Sequence, residues 1–210
     1  SYKAGQVVPV TVTFSEPVIV TGTPRLTLST GTPTTTAVAY SAGSGTNILT
    51  FNYLVVAGNN SADLDYASTT ALAGGSISDA ATNAATLTLA APGAPGSLGA
   101  NKALVIDTTA PQVTVTELRR QTAGINNRVR VAGTAQDADG PVTLYLCVNV
   151  GSPCTATNAT QAVTNITVSG GAWTSGWVDV NRTGTWFALA SQTDAALNTG
   201  QSAIFGPVVD

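Results

Sequence analysis

Histidine and methionine are absent from the 210 residues. Without an imidazole, histidine-based acid–base chemistry and histidine-ligated zinc are excluded. Charge is scarce as well: charged residues make up 9% of the chain, against roughly 25% in ordinary soluble proteins, and the net charge is −3. The basic residues are scattered apart from Arg119-Arg120 with Arg128 and Arg130. No aromatic residues interleave that group as a nucleic-acid surface would need, so it reads as solvent-facing strand residues and no nucleic-acid partner is expected. No apolar run approaches the ~20 residues that cross a bilayer, so no membrane insertion is expected of this segment. No signal peptide opens the chain. The first residues read as the inside of a module, as in a piece of a longer protein. A Gly-rich phosphate loop of the required spacing is also missing.

What the chain has instead is Thr, Ala, Gly, Val and Ser, a composition that favours strands with polar, uncharged faces. Val8, Val10, Val12 and Phe14 alternate with polar residues or proline, and Leu49, Phe51, Tyr53 and Val55 alternate again. That is the period of a strand with one buried face. Ser15-Glu16-Pro17 reads as an interruption of the first run. Leu87/Leu89 reads as a short strand, and Asp63–Leu72 is the one place where a helix could hide, although its threonines and flanking glycines argue against a long one. The second half repeats the pattern, with strands expected at Val113/Val115, Val129/Val131, Val142–Val148, 163–168, 173–180, 184–192 and 203–209. Short strands at this spacing predict an all-β chain of two sandwiches of about a hundred residues each.

The boundary is set by Leu104-Val-Ile-Asp-Thr-Thr-Ala-Pro111, where an apolar run meets an acid, two threonines and a proline. The modules are therefore expected at 1–107 and 108–210. Each carries Asp-Ala-Ala-x-Asn, at Asp79–Asn83 and Asp194–Asn198, as diverged repeats would. Asp79 and Asp194 read as acids that close turns. Val10-Thr-Val-Thr-Phe-Ser-Glu-Pro-Val18, Asn60-Ser-Ala-Asp-Leu-Asp-Tyr66 and Ile106-Asp-Thr-Thr-Ala-Pro111 resemble the tandem bacterial Ig-like (cadherin-like) repeat domains of large surface adhesins. The resemblance implies two tandem Ig-like antiparallel β-sandwiches on a bacterial cell surface or secreted, often with calcium at module junctions.

Glu16, Asp63, Asp65 and Asp107 are the metal ligands expected on that basis, with Asn59 or Asn60 assisting. The alternative is that these residues are turn formers bonding their own backbone. Asp137 and Asp139 make a possible second metal site, or else a plain turn before Pro141. Cys147 and Cys154 flank a short turn, Cys147 on the strand face opposite the apolar run. In an extracellular array they are expected to form a disulfide, two free thiols being the alternative. Trp173, Trp177 and Trp186 are expected in the core. Posed as a carboxylate pair for glycoside cleavage, either Asp63/Asp65 or Asp137/Asp139 would lie on one loop, where neighbouring acids rarely straddle a bond, so no enzyme is expected. The expected role is a structural spacer, stiffened by calcium and partnered by neighbouring Ig-like modules of the same chain. The rivals are a module that binds a host or surface glycan or protein, and the subunit of a surface filament.

Overall fold

The computed structural model describes residues 1–121, 127–148, 153–180 and 182–208. The chain divides into two compact units, Ser1–Thr109 and Ala110–Asp210. Both are all-β with antiparallel sheets.

Unit 1 contains β1 (Val7–Thr21), β2 (Arg25–Ser29), β3 (Thr35–Ala42) and β4 (Thr46–Leu54). Short pieces follow: β5 (Asn60–Ser61), β6 (Leu72–Ala73), β7 (Ser76–Ser78), a one-turn helix α1 (Leu98–Asn101) and β8 (Ile106–Asp107). The six-stranded order is β6-β2-β3-β4-β1-β7, and β5 pairs with β8 separately. The expected break at Ser15-Glu16-Pro17 is a shift of register inside one 15-residue strand. Before the shift β1 pairs with β4; after it, Ile19–Thr21 pair with β7. A proline with no N–H is tolerated at such an irregularity because no ladder bond is asked of it there. The alternating residues Val8, Val10, Leu49, Phe51, Tyr53 and Val55 are all buried together with Leu26, Leu28, Leu64 and Ile106.

Asp63–Leu72, where the sequence argues against a long helix, holds none; the one-turn α1 lies in the Pro/Gly segment, capped by the Ser97 hydroxyl, which accepts from Ala100 N–H. One expectation is corrected here. Leu87 and Leu89 pack on the core outside any strand.

Unit 2 contains β9 (Glu117–Arg120), β10 (Arg128–Thr134), β11 (Val142–Val148), β12 (Gln161–Ile166) and β13 (Val168–Ser169). It continues with β14 (Ala172–Asp179), β15 (Trp186–Thr193), β16 (Thr199–Gln201) and β17 (Phe205–Val208). One sheet has the order β13-β14-β10-β9; the other is β12-β11-β15, with β16 and β17 both paired to β15. Val129, Val131 and Trp173 from the first sheet share a core with Val142, Leu144, Leu146, Trp186 and Ala188 from the second. Val113 and Val115 are buried, but the strand expected there starts later, at Glu117. The segment is bonded to β10 through Thr114 N–H to Thr134 C=O (2.8 Å) and Thr116 N–H to Ala132 C=O (2.9 Å). The expected turn residues Gly151 and Ser152 and the terminal Val209-Asp210 lie outside the described residues.

Of the three tryptophans, Trp173 and Trp186 are core but Trp177 is 48% exposed. Four residues apart on a regular strand, Trp173 and Trp177 would share a face. Opposite Ala132 stands Thr174, yet opposite Arg130 stands Trp177, so β14 carries one extra residue there. The bulge reverses the alternation and turns Trp177 outward.

Cys147 and Cys154 form a disulfide with Cα atoms 5.7 Å apart. It sits with Leu189, Tyr145 and Phe187 in a small cluster separate from the main core, on the opposite face of β11. Closing so short a loop constrains the unfolded chain by about 2.5 kcal/mol. Reduction is therefore expected to lower the melting temperature of unit 2 and leave the unit 1 transition in place, as read by calorimetry with and without reductant. A disulfide belongs to oxidising compartments, which points to a protein outside the cytoplasm. Among the described residues no helix is long and apolar enough to cross a membrane.

Candidate functional site

The chain leaves unit 1 beside the place where it entered. Tyr2 pairs in parallel with Ile106. Its N–H donates to Val105 C=O (2.8 Å), and its C=O accepts from Asp107 N–H (2.9 Å). On the other side of this exit strand, Asn60 faces Asp107 and Ser61 faces Ile106 across the β5–β8 pair. Asn60 Oδ1 accepts the Thr108 N–H (2.9 Å) and the Thr109 hydroxyl (3.2 Å), and Gly58 N–H donates to the Thr108 hydroxyl (2.9 Å). Asp107 Oδ1 accepts Thr109 N–H at 2.9 Å. The residues that read as the start of a linker are thus held on both sides.

Beneath this closure lies Asn59, fully buried. Its Oδ1 accepts from the Tyr53 hydroxyl (2.8 Å) and Val56 N–H (3.0 Å), and its Nδ2 donates to Thr32 C=O (3.1 Å). Burial pushes the Tyr53 phenol up to about 12. The side chain sits between the Tyr53 hydroxyl and the backbone at Val56 and Thr32 and satisfies each, which fixes the turn that presents Gly58 and Asn60.

Asp63 and Asp65 come together at a shallow depression with Pro92, Gly93, Gly99 and Ala100. Asp63 Oδ1 accepts Leu104 N–H at 3.3 Å. Asp65 accepts Tyr66 N–H (2.8 Å) and Gly93 N–H (3.0 Å). Burial raises the Asp65 carboxyl, but bonds from Gly93, Tyr66, the Ser97 hydroxyl and Gly99 outweigh it and hold the group below its ordinary value. A carboxylate offers about four lone-pair sites, and here four donors address them.

A calcium site needs six to eight oxygens free to turn toward the ion. The structure does not bring the four expected acids together. Glu16 lies in the irregular stretch of β1 near the Val18–Thr46 pair, whereas Asp107 lies near the Val7–Leu54 end. Eight residue steps of β4 separate those ends, roughly 26 Å. Glu16 is therefore removed from the group, and Asp65 is committed to N–H and O–H donors. Among the described residues no three acids or cysteines gather as metal ligands. In unit 2 both oxygens of Asp137 accept Gly171 N–H (3.0 and 3.1 Å), and Asp139 N–H donates to Gln136 C=O (3.4 Å). Their loop is gripped by buried Gln192, whose Nε2 donates to Gln136 C=O (2.7 Å) and Gly140 C=O (2.8 Å) while its Oε1 accepts Gln136 N–H (3.1 Å). Sequence reasoning missed Gln192, because a glutamine beside serine and threonine on a strand reads as surface.

The two Asp-Ala-Ala-x-Asn segments form the same loop. In each, one Asp oxygen accepts the Asn backbone N–H (2.8 Å in both) and the other accepts its Nδ2 (2.6 Å at Asp79, 2.9 Å at Asp194). The Asp N–H returns to the Asn C=O, and the residue before Asn, Thr82 or Leu197, takes a positive φ (70° and 67°).

Loss of the Asp65 charge should loosen these ties. A carboxyl held below its unfolded value stabilises the fold above the unfolded value, near pH 4, and that stability is lost as pH falls through the folded value. Asp65→Asn is accordingly expected to flatten the acid limb of unit 1 unfolding below about pH 4, measured by circular dichroism across pH.

No protein-family model matches the chain, and no curated protein is similar to it.

Proposed function

We propose that this chain is a spacer segment of a long extracellular bacterial adhesin-like surface protein, built of Ig-like modules whose partners are neighbouring modules of the same chain. The observation that carries this reading is the closure of unit 1 by its own ends, Tyr2 beside Ile106–Asp107 with Asn60 locked onto Thr108 and Thr109. Parallel end strands pulled in opposite directions load their hydrogen bonds in shear, all at once rather than one by one. The shared Asp-Ala-Ala-x-Asn loop supports a tandem-repeat origin for the two units. Stiffness in this reading comes from side-chain locks at the loop ends, Asn59, Asn60 and Asp65 in unit 1 and Gln192 in unit 2.

Antibody raised against the chain should label intact cells of the producing organism, and brief protease treatment of those cells should release the epitope. Labelling only after lysis would overturn the assignment.

A further inference from the structure

The outer face of the β9–β10–β14 sheet carries a row that the spacer reading does not use. Arg119 stands opposite Arg130, and Arg130 stands opposite Trp177. Directly opposed residues share a face, and neighbouring strands are about 4.8 Å apart, so the backbone positions of two arginines and one tryptophan lie in a line of about 10 Å. Trp177 is 48% exposed, although a regular strand would have placed it with buried Trp173. Four of the six arginines of a chain with net charge −3 sit on β9 and β10. Two of them are matched: Arg119 pairs with Glu117, and Arg128 with Asp179 at 2.5 Å. Arg130 is different. Its Nε donates to the Thr174 hydroxyl (3.3 Å), and it meets no carboxylate among the described residues. That single bond orients the guanidinium and leaves the fork of its terminal nitrogens to an incoming acid.

Arg130 also lies at the side of a shallow groove of about 610 Å³. Its walls carry the hydroxyl-bearing residues Thr116, Thr134, Ser169 and Thr174, and its floor includes the small residues Ala132 and Gly133. Hydroxyls that can both donate and accept suit a polyol. A flat indole beside them suits the C–H face of a sugar ring, since tryptophan offers an apolar body with a polar edge. A guanidinium between the two suits a carboxylate. Nucleic acid fits less well, because one aromatic residue offers a single stacking position where a strand of bases needs several.

We propose that this face binds an acidic oligosaccharide of the uronic-acid class, with Trp177 stacking on a sugar ring, Arg130 holding its carboxylate and the threonine-lined groove taking the adjoining sugar. The site is independent of the closure of unit 1, so spacer and binding roles succeed or fail separately.

The test is calorimetric titration of the full chain with a galacturonic acid trimer, the neutral galactose trimer and a single-stranded oligonucleotide. The acidic trimer is expected to bind and the neutral one to bind at least about tenfold more weakly. Trp177→Ala should weaken both sugars by about tenfold or more. Arg130→Gln should abolish the preference for the acidic sugar while leaving the neutral one unchanged. Both positions face outward, so the thermal transition of unit 2 should stay in place and report intact folding. Equal affinity of the unmutated chain for the two sugars, wild-type affinity for the acidic sugar in either variant, no binding at millimolar sugar, or tighter binding of the oligonucleotide would each overturn the proposal.

Discussion

Asn59→Ala is expected to lower the stability of unit 1 by about 2–4 kcal/mol, because it takes a partner from three polar groups at once. The Tyr53 hydroxyl loses its partner in a fully buried position, and Val56 N–H and Thr32 C=O lose theirs in partly buried ones. Each unsatisfied buried group costs about 1–3 kcal/mol, and a domain of this size has only about 5–15 to lose. Differential scanning calorimetry of the full chain should show the unit 1 transition falling by about 8 °C or more, at about 4–8 °C per kcal/mol, with the unit 2 transition unmoved. Tyr53→Phe is the milder probe, since Asn59 Oδ1 keeps its bond from Val56; about 1 kcal/mol is expected. The same phenol makes unit 1 sensitive to alkali. Unfolded tyrosine ionises near pH 10, whereas Tyr53 in the fold holds its proton to about 12. The contribution is whole below pH 10 and is lost as pH rises between the two values. An Asn59→Ala transition within a few degrees of the wild type would show that the buried amide does not organise this end of the module.

Methyl groups added at Gly133 and Gly200 should be nearly as damaging to unit 2. A Cβ at Gly200 would stand 1.8 Å from the Pro111 carbonyl oxygen. One at Gly133 would stand 1.9 Å from the Thr114 carbonyl oxygen and 2.9 Å from the Trp173 ring. The obstacles are backbone atoms, so no rotamer change relieves them. The two glycines belong to different sheets, β16 and β10, and the same stretch from Pro111 to Thr116 passes over both. Either Gly133→Ala or Gly200→Ala has to lift that stretch, at a cost of about 2–4 kcal/mol. Because one segment is displaced in both cases, the double variant should cost less than the sum. Gly133→Ala should in addition shift tryptophan emission, since Trp173 Nε1 is held by Thr114 C=O and Thr134 C=O (3.2 Å each). Unchanged unit 2 melting in both variants would mean that the segment does not lie against the glycines.

Much of the fold was legible because alternation reports burial directly. Val142, Leu144, Leu146 and Val148 face the core as the period demands, and Cys147, out of phase with them, faces the disulfide cluster. What alternation cannot report is a change of phase or of partner. The bulge in β14 turned Trp177 outward, and β1 runs through the irregularity near Glu16 to reach β7, where the pattern read as an interruption. Of the site, Asn60, Asp63, Asp65 and Asp107 were visible as polar residues clustered near a boundary. The same side chains suit oxygen-rich ion binding and N–H acceptance, and only the positions of the donors distinguish the two. Gly93 and Ser97, which commit Asp65, lie about thirty residues away in sequence, and no local pattern links them. Gln192 carries no signal of burial, since its partners Gln136 and Gly140 lie more than fifty residues away, and Asn59 takes its third partner from Thr32, 27 residues away.

The proposed spacer role rests on the closure at Tyr2, Asn60 and Asp107. Single-molecule stretching of the full chain by its two ends, in millimolar calcium and again in EDTA, addresses it directly. Unit 1, assigned by its contour length, is expected to rupture at the same force in both solutions. Asn60→Ala should lower that force, because it removes the bonds to Thr108 and Thr109 that hold the exit strand. A rupture force that collapses in EDTA, or one that Asn60→Ala leaves unchanged, would contradict a closure made by side-chain locks.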